Sequence, residues 1–303
     1  MQALLFKKIV LFGVGLIGGS FALALRKAGA VERGIGVGRS AATLERALQL
    51  KIIDAASTSV QEAVVGADLV LIAAPVAQTE SILAAIAPHL QPGTVVTDAG
   101  STKSDVAAAA RKVLGGKVAQ FVPGHPIAGS EQNGPDAATA DLYVGKKVVL
   151  TPLPENAAAV IERVAQAWTH CGALVHRLTP EEHDKVFAAV SHLPHLLAYA
   201  LVDQIANDPQ AEQLFQFAAS GFRDFTRIAG SSPEMWRDIS LANRTALLRE
   251  LDAHIAQLTR MRGLLASGDG AALEQIYAHA RRARHAWINA IEPAQQQGKG
   301  EDQ

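Results

Sequence analysis

Along residues 1–178, short apolar runs alternate with longer stretches whose apolar positions recur every three to four residues. Ile9 to Phe12, Gly34 to Val37, Asp68 to Ala74, Thr94 to Asp98, Val118 to Val122, Lys147 to Thr151 and Ala173 to Leu178 read as strands. They are apolar almost throughout, as strands covered on both faces are. Helical patterns fall between them, at 20–27, 41–50, 57–67, 78–89 and 156–170. The alternation predicts an α/β unit with one parallel sheet wound on both faces and ligands gathered at the carboxyl ends of its strands.

At Thr179-Pro180 the alternation stops. Thr179 can cap a helix that carries Pro180 in its first turn, and no strand pattern follows. Three helical stretches are expected: 181–207, where Pro194 forces a kink or break, then 234–265, then a helix to about Ile291. Leu248, Leu251, Ile255, Leu258 and Leu265 form an apolar stripe on the second, and Leu273, Ile276, Ala280, Ala283 and Trp287 one on the third. Helices of this length favour a homodimer interface. The expected organisation is a nucleotide-binding unit at 1–178, an all-α dimerisation unit at 179–292 and a disordered tail, rich in Gln, Gly and charge, at 293–303.

The 303 residues are 49% hydrophobic and carry a formal net charge of −1. Such a chain has ample core and lacks the charge of a general nucleic-acid binder. Cys171 is the only cysteine, so no intrachain disulfide forms and a reducing compartment fits. No apolar run of membrane-spanning length is expected, and neither is a signal peptide. The expected location is the cytoplasm, with no membrane or nucleic-acid partner.

Chemistry enters at the strand ends. Gly13, Gly15 and Gly18 follow the first strand in G-x-G-x-x-G spacing and open a helix, the context in which this motif holds a dinucleotide pyrophosphate. Leu16 and Ile17 belong to the same turn, and Ala74-Pro75 end a neighbouring strand, so these four join the glycines as cofactor contacts. After the second strand, where an acid would grip the ribose of NAD, stand Gly38, Arg39 and Ser40. A cation and a hydroxyl suit a 2′-phosphate, which favours NADP, with NAD possible. Ser101 stands where a strand gives way to a helix, as N-cap, substrate contact or both. Lys103 reads as a solvated first-turn residue. His125, in a Gly- and Pro-flanked turn at a strand's carboxyl end, is the natural proton acceptor. Glu131 is either a ligand for a polar substrate group or a solvated loop acid. His192 and His195, three apart in Ser191-His192-Leu193-Pro194-His195, could share a metal, but no third ligand cluster accompanies them and no metal is expected. In the segment 222–230, an arginine suits capture of a carboxylate, and Arg223 with Asp224 reads as a structural pair.

Five segments together, GVGLIGGS (13–20), DAGSTKSD (98–105), GHPIAGSE (124–131), SHLPH (191–195) and FRDFTRIAG (222–230), resemble the prephenate/arogenate dehydrogenase family. The resemblance covers about Lys8 to Ile291. It implies an oxidative decarboxylation in tyrosine biosynthesis that turns prephenate into 4-hydroxyphenylpyruvate, or arogenate into tyrosine. It assigns His125 to the ring hydroxyl as proton acceptor, Ser101 to orienting that histidine, Arg227 to a substrate carboxylate, and Ser191, His195 and Glu131 to the pocket lining. Two rivals remain at this point: another two-domain NADP reductase, such as a β-hydroxyacid dehydrogenase, and a catalytically silent nucleotide-binding regulator.

Overall fold

The computed structural model describes residues 4–129 and 132–297, and side chains through residue 290. In chain order come β1 (Phe6–Phe12), α1 (Leu16–Lys27), β2 (Val31–Val37), α2 (Ala41–Gln49), β3 (Ala55–Ser57), α3 (Val60–Val64), β4 (Leu69–Ile72), α4 (Thr79–Ile86), β5 (Val95–Asp98), α5 (Ser104–Leu114) and β6 (Phe121–Val122). The strands make one parallel sheet in the order β3-β2-β1-β4-β5-β6. This is the Rossmann order, and its direction of growth reverses between β1 and β4, where a crevice opens at the carboxyl ends.

Alternate residues of a strand leave opposite faces, and both faces here are covered. Ile9, Leu11, Leu69 and Leu71 pack with Phe21, Leu25 and Trp168 on one side. Val10, Phe12, Val70 and Ile72 pack with Leu83, Ile86 and Val106 on the other. Each such buried side chain contributes about 1.5–3 kcal/mol, so the strand ends project from a firmly packed base.

The chain continues as β7 (Gly124–Pro126), β8 (Lys147–Leu150), α6 (Ala158–His170) and β9 (Leu174–Arg177). Here the single-sheet expectation fails. The last two expected strands join β7 in a separate three-stranded sheet, β7-β8-β9, antiparallel at its first pairing and parallel at its second. Pro123 supplies the reason: it has no N–H to extend the ladder beyond the two residues of β6. The expected strand start at 118–120 is a 3₁₀ turn instead. Strand β3 escaped notice because three small residues carry no pattern.

Then follow α7 (Pro180–Phe187), α8 (Leu193–Ala206), α9 (Ala211–Gln216), α10 (Ser220–Thr226), α11 (Pro233–Ala242), α12 (Arg244–Ser267) and α13 (Gly270–Gln297). Thr179 and Glu182 close a capping box on α7. Pro194 does not break the helix. A π-helical turn, Ala188–His192, joins α7 to α8 and absorbs the missing N–H and the crowding of the ring against the preceding turn. The whole stretch Pro180–Ala206 is thus long and apolar enough, at mean hydropathy 1.3, to match a bilayer span, which the sequence was not expected to contain. Its Phe187, Ala188, His192 and Ala198 are buried within the protein itself. The expected long helix over 234–265 is interrupted at Asn243, and the last helix continues past Ile291 to Gln297.

By packing, the chain divides into two compact units, Met1–Arg244 and Thr245–Gln303. The second consists of α12 and α13, which turn at Gly268 in the left-handed region (φ +69°). Leu248, Ile255, Leu258, Leu265 and Trp287 of the predicted stripes stand exposed on the single chain.

Candidate active site

The crevice beside β1 and β4 is a cleft of about 690 Å³, lined by Gly13, Gly15, Gly38, Arg39, Ser40 and the Ala73–Pro75 turn, among others. Gly13 has φ +96°, and a Cβ there would meet the Ala73 carbonyl oxygen at 2.5 Å. At Gly18 a Cβ would lie 2.0 Å from the Gly13 oxygen. These two glycines are required by the protein's own backbone. Gly15 is not, since its nearest neighbour, Gly134, is 3.9 Å from a Cβ position. The open space above Gly15, next to α1's start with no side-chain cap, is a cradle that fits a pyrophosphate on the free N–H groups of the helix. The residues present therefore fit a dinucleotide. Ser40 caps α2, its oxygen accepting the Thr43 N–H at 3.2 Å and the Thr43 hydroxyl at 3.0 Å. Its own proton remains as a donor toward the cleft.

A second constellation stands at the ends of β5 and β7. His125 lies not in the expected turn but in the middle of β7, pinned by pairing with Val149. Its Nδ1 lies 2.8 Å from His183 Nε2, and His183 Nδ1 lies 2.9 Å from Asp184 Oδ1. The Asp184 carboxylate also accepts the backbone N–H groups of Lys103 and Ser104, both at 2.8 Å. It thus occupies the positive N-terminal end of α5. Burial works to raise the Asp184 carboxyl, but the hydrogen bonds from His183, Ser104 and Lys103 outweigh it and hold the group below the usual carboxylate range. The acid is ionised and can only accept.

That fixes the protons along the chain. His183 must donate from Nδ1, so its Nε2 accepts. His125 must donate from Nδ1, so its Nε2 carries the free lone pair. Burial, then the neighbouring His183, Lys103 and His192, push His125 well below its ordinary value and keep the ring neutral. Phe187 covers both rings, 4.8 Å from His125 and 4.4 Å from His183. The result is a neutral base backed by a second imidazole and a buried carboxylate.

Ser101 does not cap α5. The N-cap position is Lys103, and Asp184 supplies the caps from eighty residues away, leaving the half-buried Ser101 in the bend before the helix. Lys103 is not solvated either: it is wholly buried, and its ammonium pairs with Asp98. The same Asp98 carboxylate accepts the N–H groups of Gly100 at 2.8 Å and Gly124 at 3.0 Å. One buried acid therefore holds the turn that carries Ser101 to the strand that carries His125.

His192 and His195 lie on either side of Pro194. His195 donates from Nδ1 to the Ser191 carbonyl at 2.8 Å and stacks on Trp236 at 3.5 Å between ring centres. Burial depresses His195, Ser191 opposes this, and the charge of Arg227 adds to it. Arg227, on an exposed turn after α10, is thus within electrostatic reach of the pocket. Arg223 and Asp224 meet only at 4.0 Å, both largely exposed, and such a pair is worth little. Glu131 lies outside the described residues.

Sequence reasoning passed over His183, Asp184, Asp98, Trp236 and Asn243. For the first two a signal existed. Pro180, His183, Asp184 and Phe187 form the buried stripe of α7, and ionisable groups on a helix's inner face are rarely idle.

Two family models cover most of the chain: prephenate dehydrogenase, nucleotide-binding domain, over residues 21–177, and prephenate dehydrogenase, dimerization domain, over 179–279. Cyclohexadienyl dehydrogenase of Zymomonas mobilis is 37% identical over 282 residues, 92% of this chain and 95% of that protein. Prephenate dehydrogenase of Bacillus subtilis is 38% identical over 278 residues, 91% of this chain and 75% of that one. Among solved structures, prephenate dehydrogenase of Aquifex aeolicus, in complex with hydroxyphenyl propionate and NAD+, superposes with a TM-score of 0.86 at 33% identity, covering 95% of this chain and 100% of that one. By sequence, by fold and by the span of both models, this chain belongs to the prephenate dehydrogenase family.

Proposed function

We propose that the protein catalyses the oxidative decarboxylation of prephenate to 4-hydroxyphenylpyruvate. The observation that carries this is the Asp184–His183–His125 chain, which leaves His125 Nε2 free as a proton acceptor in the same compact unit as a cleft that fits a dinucleotide. The glycine turn and the Ala73–Pro75 turn would hold the dinucleotide, whose nicotinamide would supply the acceptor for the hydride of the ring carbon that bears the hydroxyl. His125 Nε2 takes the hydroxyl proton, and the positive charge that develops on its ring is stabilised through His183 by Asp184. With the ring oxygen now a carbonyl, the bond to the ring carboxylate breaks and carbon dioxide leaves. Its electron pair aromatises the ring, and the proton returns from His125 to the phenolate oxygen. Arg227 holds a substrate carboxylate, and Ser101, Ser191 and His195 line the pocket.

NADP is the favoured cofactor. Arg39 and the hydroxyl of Ser40 face the cleft after β2 with no carboxylate among its lining residues, and the N-terminus of α2 adds positive character there. The protein works as a homodimer. Support comes from the match to a dimerization domain and from the apolar residues of α12 and α13 that stand exposed on one chain. The test is NAD(P)H formation with prephenate and with arogenate, each offered NAD and NADP. Reduction of NADP with prephenate is expected; no reduction with either substrate contradicts the proposal.

A further inference from the structure

We propose that Asn243 is a positioning residue of the active site, whose amide fixes His192 in the tautomer protonated on Nε2 and ties that ring to the main chain of Asp184. Asn243 follows the last turn of α11, where its backbone N–H bonds Ile239 at 3.0 Å, and its side chain is buried. Its Nδ2 is 2.8 Å from the Asp184 carbonyl oxygen and 3.1 Å from His192 Nδ1. The orientation of the amide is decided by Asp184. A backbone carbonyl only accepts, so the NH₂ end must face it. The same NH₂ group then points its second proton at His192 Nδ1, which must accept. Burial holds His192 at about 4, so the ring is neutral and its one proton sits on Nε2.

That Nε2–H is buried, and it faces the main chain of Ser101 without reaching full hydrogen-bond geometry. The Ser101 backbone lies beside the ring, and His125 and His195 are within electrostatic reach. Through His192, Asn243 therefore aims an uncharged donor at the main chain of Ser101 and so steadies the turn that carries that serine. The same amide anchors the main chain of the residue on which the His183–His125 chain ends. A sequence search for catalytic side chains passes over it, because an asparagine closing a helix is ordinary.

The inference rests on the proposed function for its kinetic consequence and not for its geometry. The test uses the full chain labelled with ¹⁵N-histidine, with the His192 signals identified by their loss in His192→Gln. The wild type is expected to show His192 protonated at Nε2 and bare at Nδ1. Asn243→Leu is expected to disturb that pattern and to lower kcat about tenfold, the scale of one lost hydrogen bond, with KM within about threefold. A wild-type ring protonated at Nδ1 overturns the proposal, as does an Asn243→Leu enzyme with unchanged kcat. If Asn243→Leu does not fold, the wild-type tautomer decides alone. The tautomer is read without substrate, so failure to turn over prephenate would overturn the function and leave this result standing.

Discussion

At the glycine turn the groups that face a ligand are backbone N–H groups and empty space. At the imidazole corner they are side chains brought from β7, α7 and the start of α5. The first region is built mainly from backbone, because Gly13 and Gly18 let the turn close on itself and on the main chain of Ala73. The second needs residues 98–104, 124–125 and 183–184 to meet, and its proton order is set by a carboxylate on a different element from the base it serves. A cradle of backbone tolerates change in everything but its glycines. A chain of hydrogen bonds fails at any link.

The largest effect expected from that difference is at His125. Replacing it by Asn should lower kcat by about a hundredfold or more, within the range for loss of a general base, while the dissociation constant for NADP, measured by fluorescence titration, stays within about twofold. If cofactor binding falls in step with kcat, the two regions are not separable in the way described.

Acid should strike the corner and spare the cleft. The folded state holds His192 at about 4, below the ordinary histidine value of 6.5. Between those pH values the unfolded chain binds a proton that the folded one refuses, so stability is complete above about 6.5 and lost as pH falls toward 4. The loss from His192 is about 3 kcal/mol, and His125 and His183 are displaced in the same direction. Urea unfolding at pH 7 and 4.5, compared between wild type and His192→Gln, should show a smaller acid loss in the variant. Equal losses would contradict the assigned neutral ring.

A smaller effect sharpens the account of the cleft. Arg39→Asp should lower kcat/KM for NADP relative to NAD by about tenfold, since a carboxylate repels the 2′-phosphate that the guanidinium attracts. It should leave kcat with the better cofactor unchanged. A cofactor ratio that does not move would remove Arg39 from the site.

The contrast also explains what could be read before the structure. Five strands of the six-stranded sheet and its glycine turn were legible, because buried strands and a tight turn leave local marks: apolar runs of four to seven residues, then glycines at fixed spacing. His125 was legible as chemistry by its place at a strand end. Its partners were marked only by their helical spacing with Pro180 and Phe187, a weak sign, because His183 and Asp184 look like polar residues in the first turns of an exposed helix until the burial of that face is known. Lys103 misled for the same reason, since a lysine reads as solvated unless its buried counter-ion, Asp98, is seen beside it. Pro194 was legible as a disturbance and not as its resolution, a π turn that keeps the helix whole. The departure of β8 and β9 into a second sheet was hidden behind one proline, Pro123.

The central claim is that the charge on Asp184 acts at His125 through His183. Steady-state NADPH formation from prephenate by Asp184→Asn, set against the wild type at saturating cofactor, tests it most directly. The amide can accept from His183 but carries no charge to stabilise an imidazolium, so kcat should fall by about a hundredfold with KM little changed. An Asp184→Asn enzyme that folds and keeps kcat within about threefold of the wild type would contradict the account.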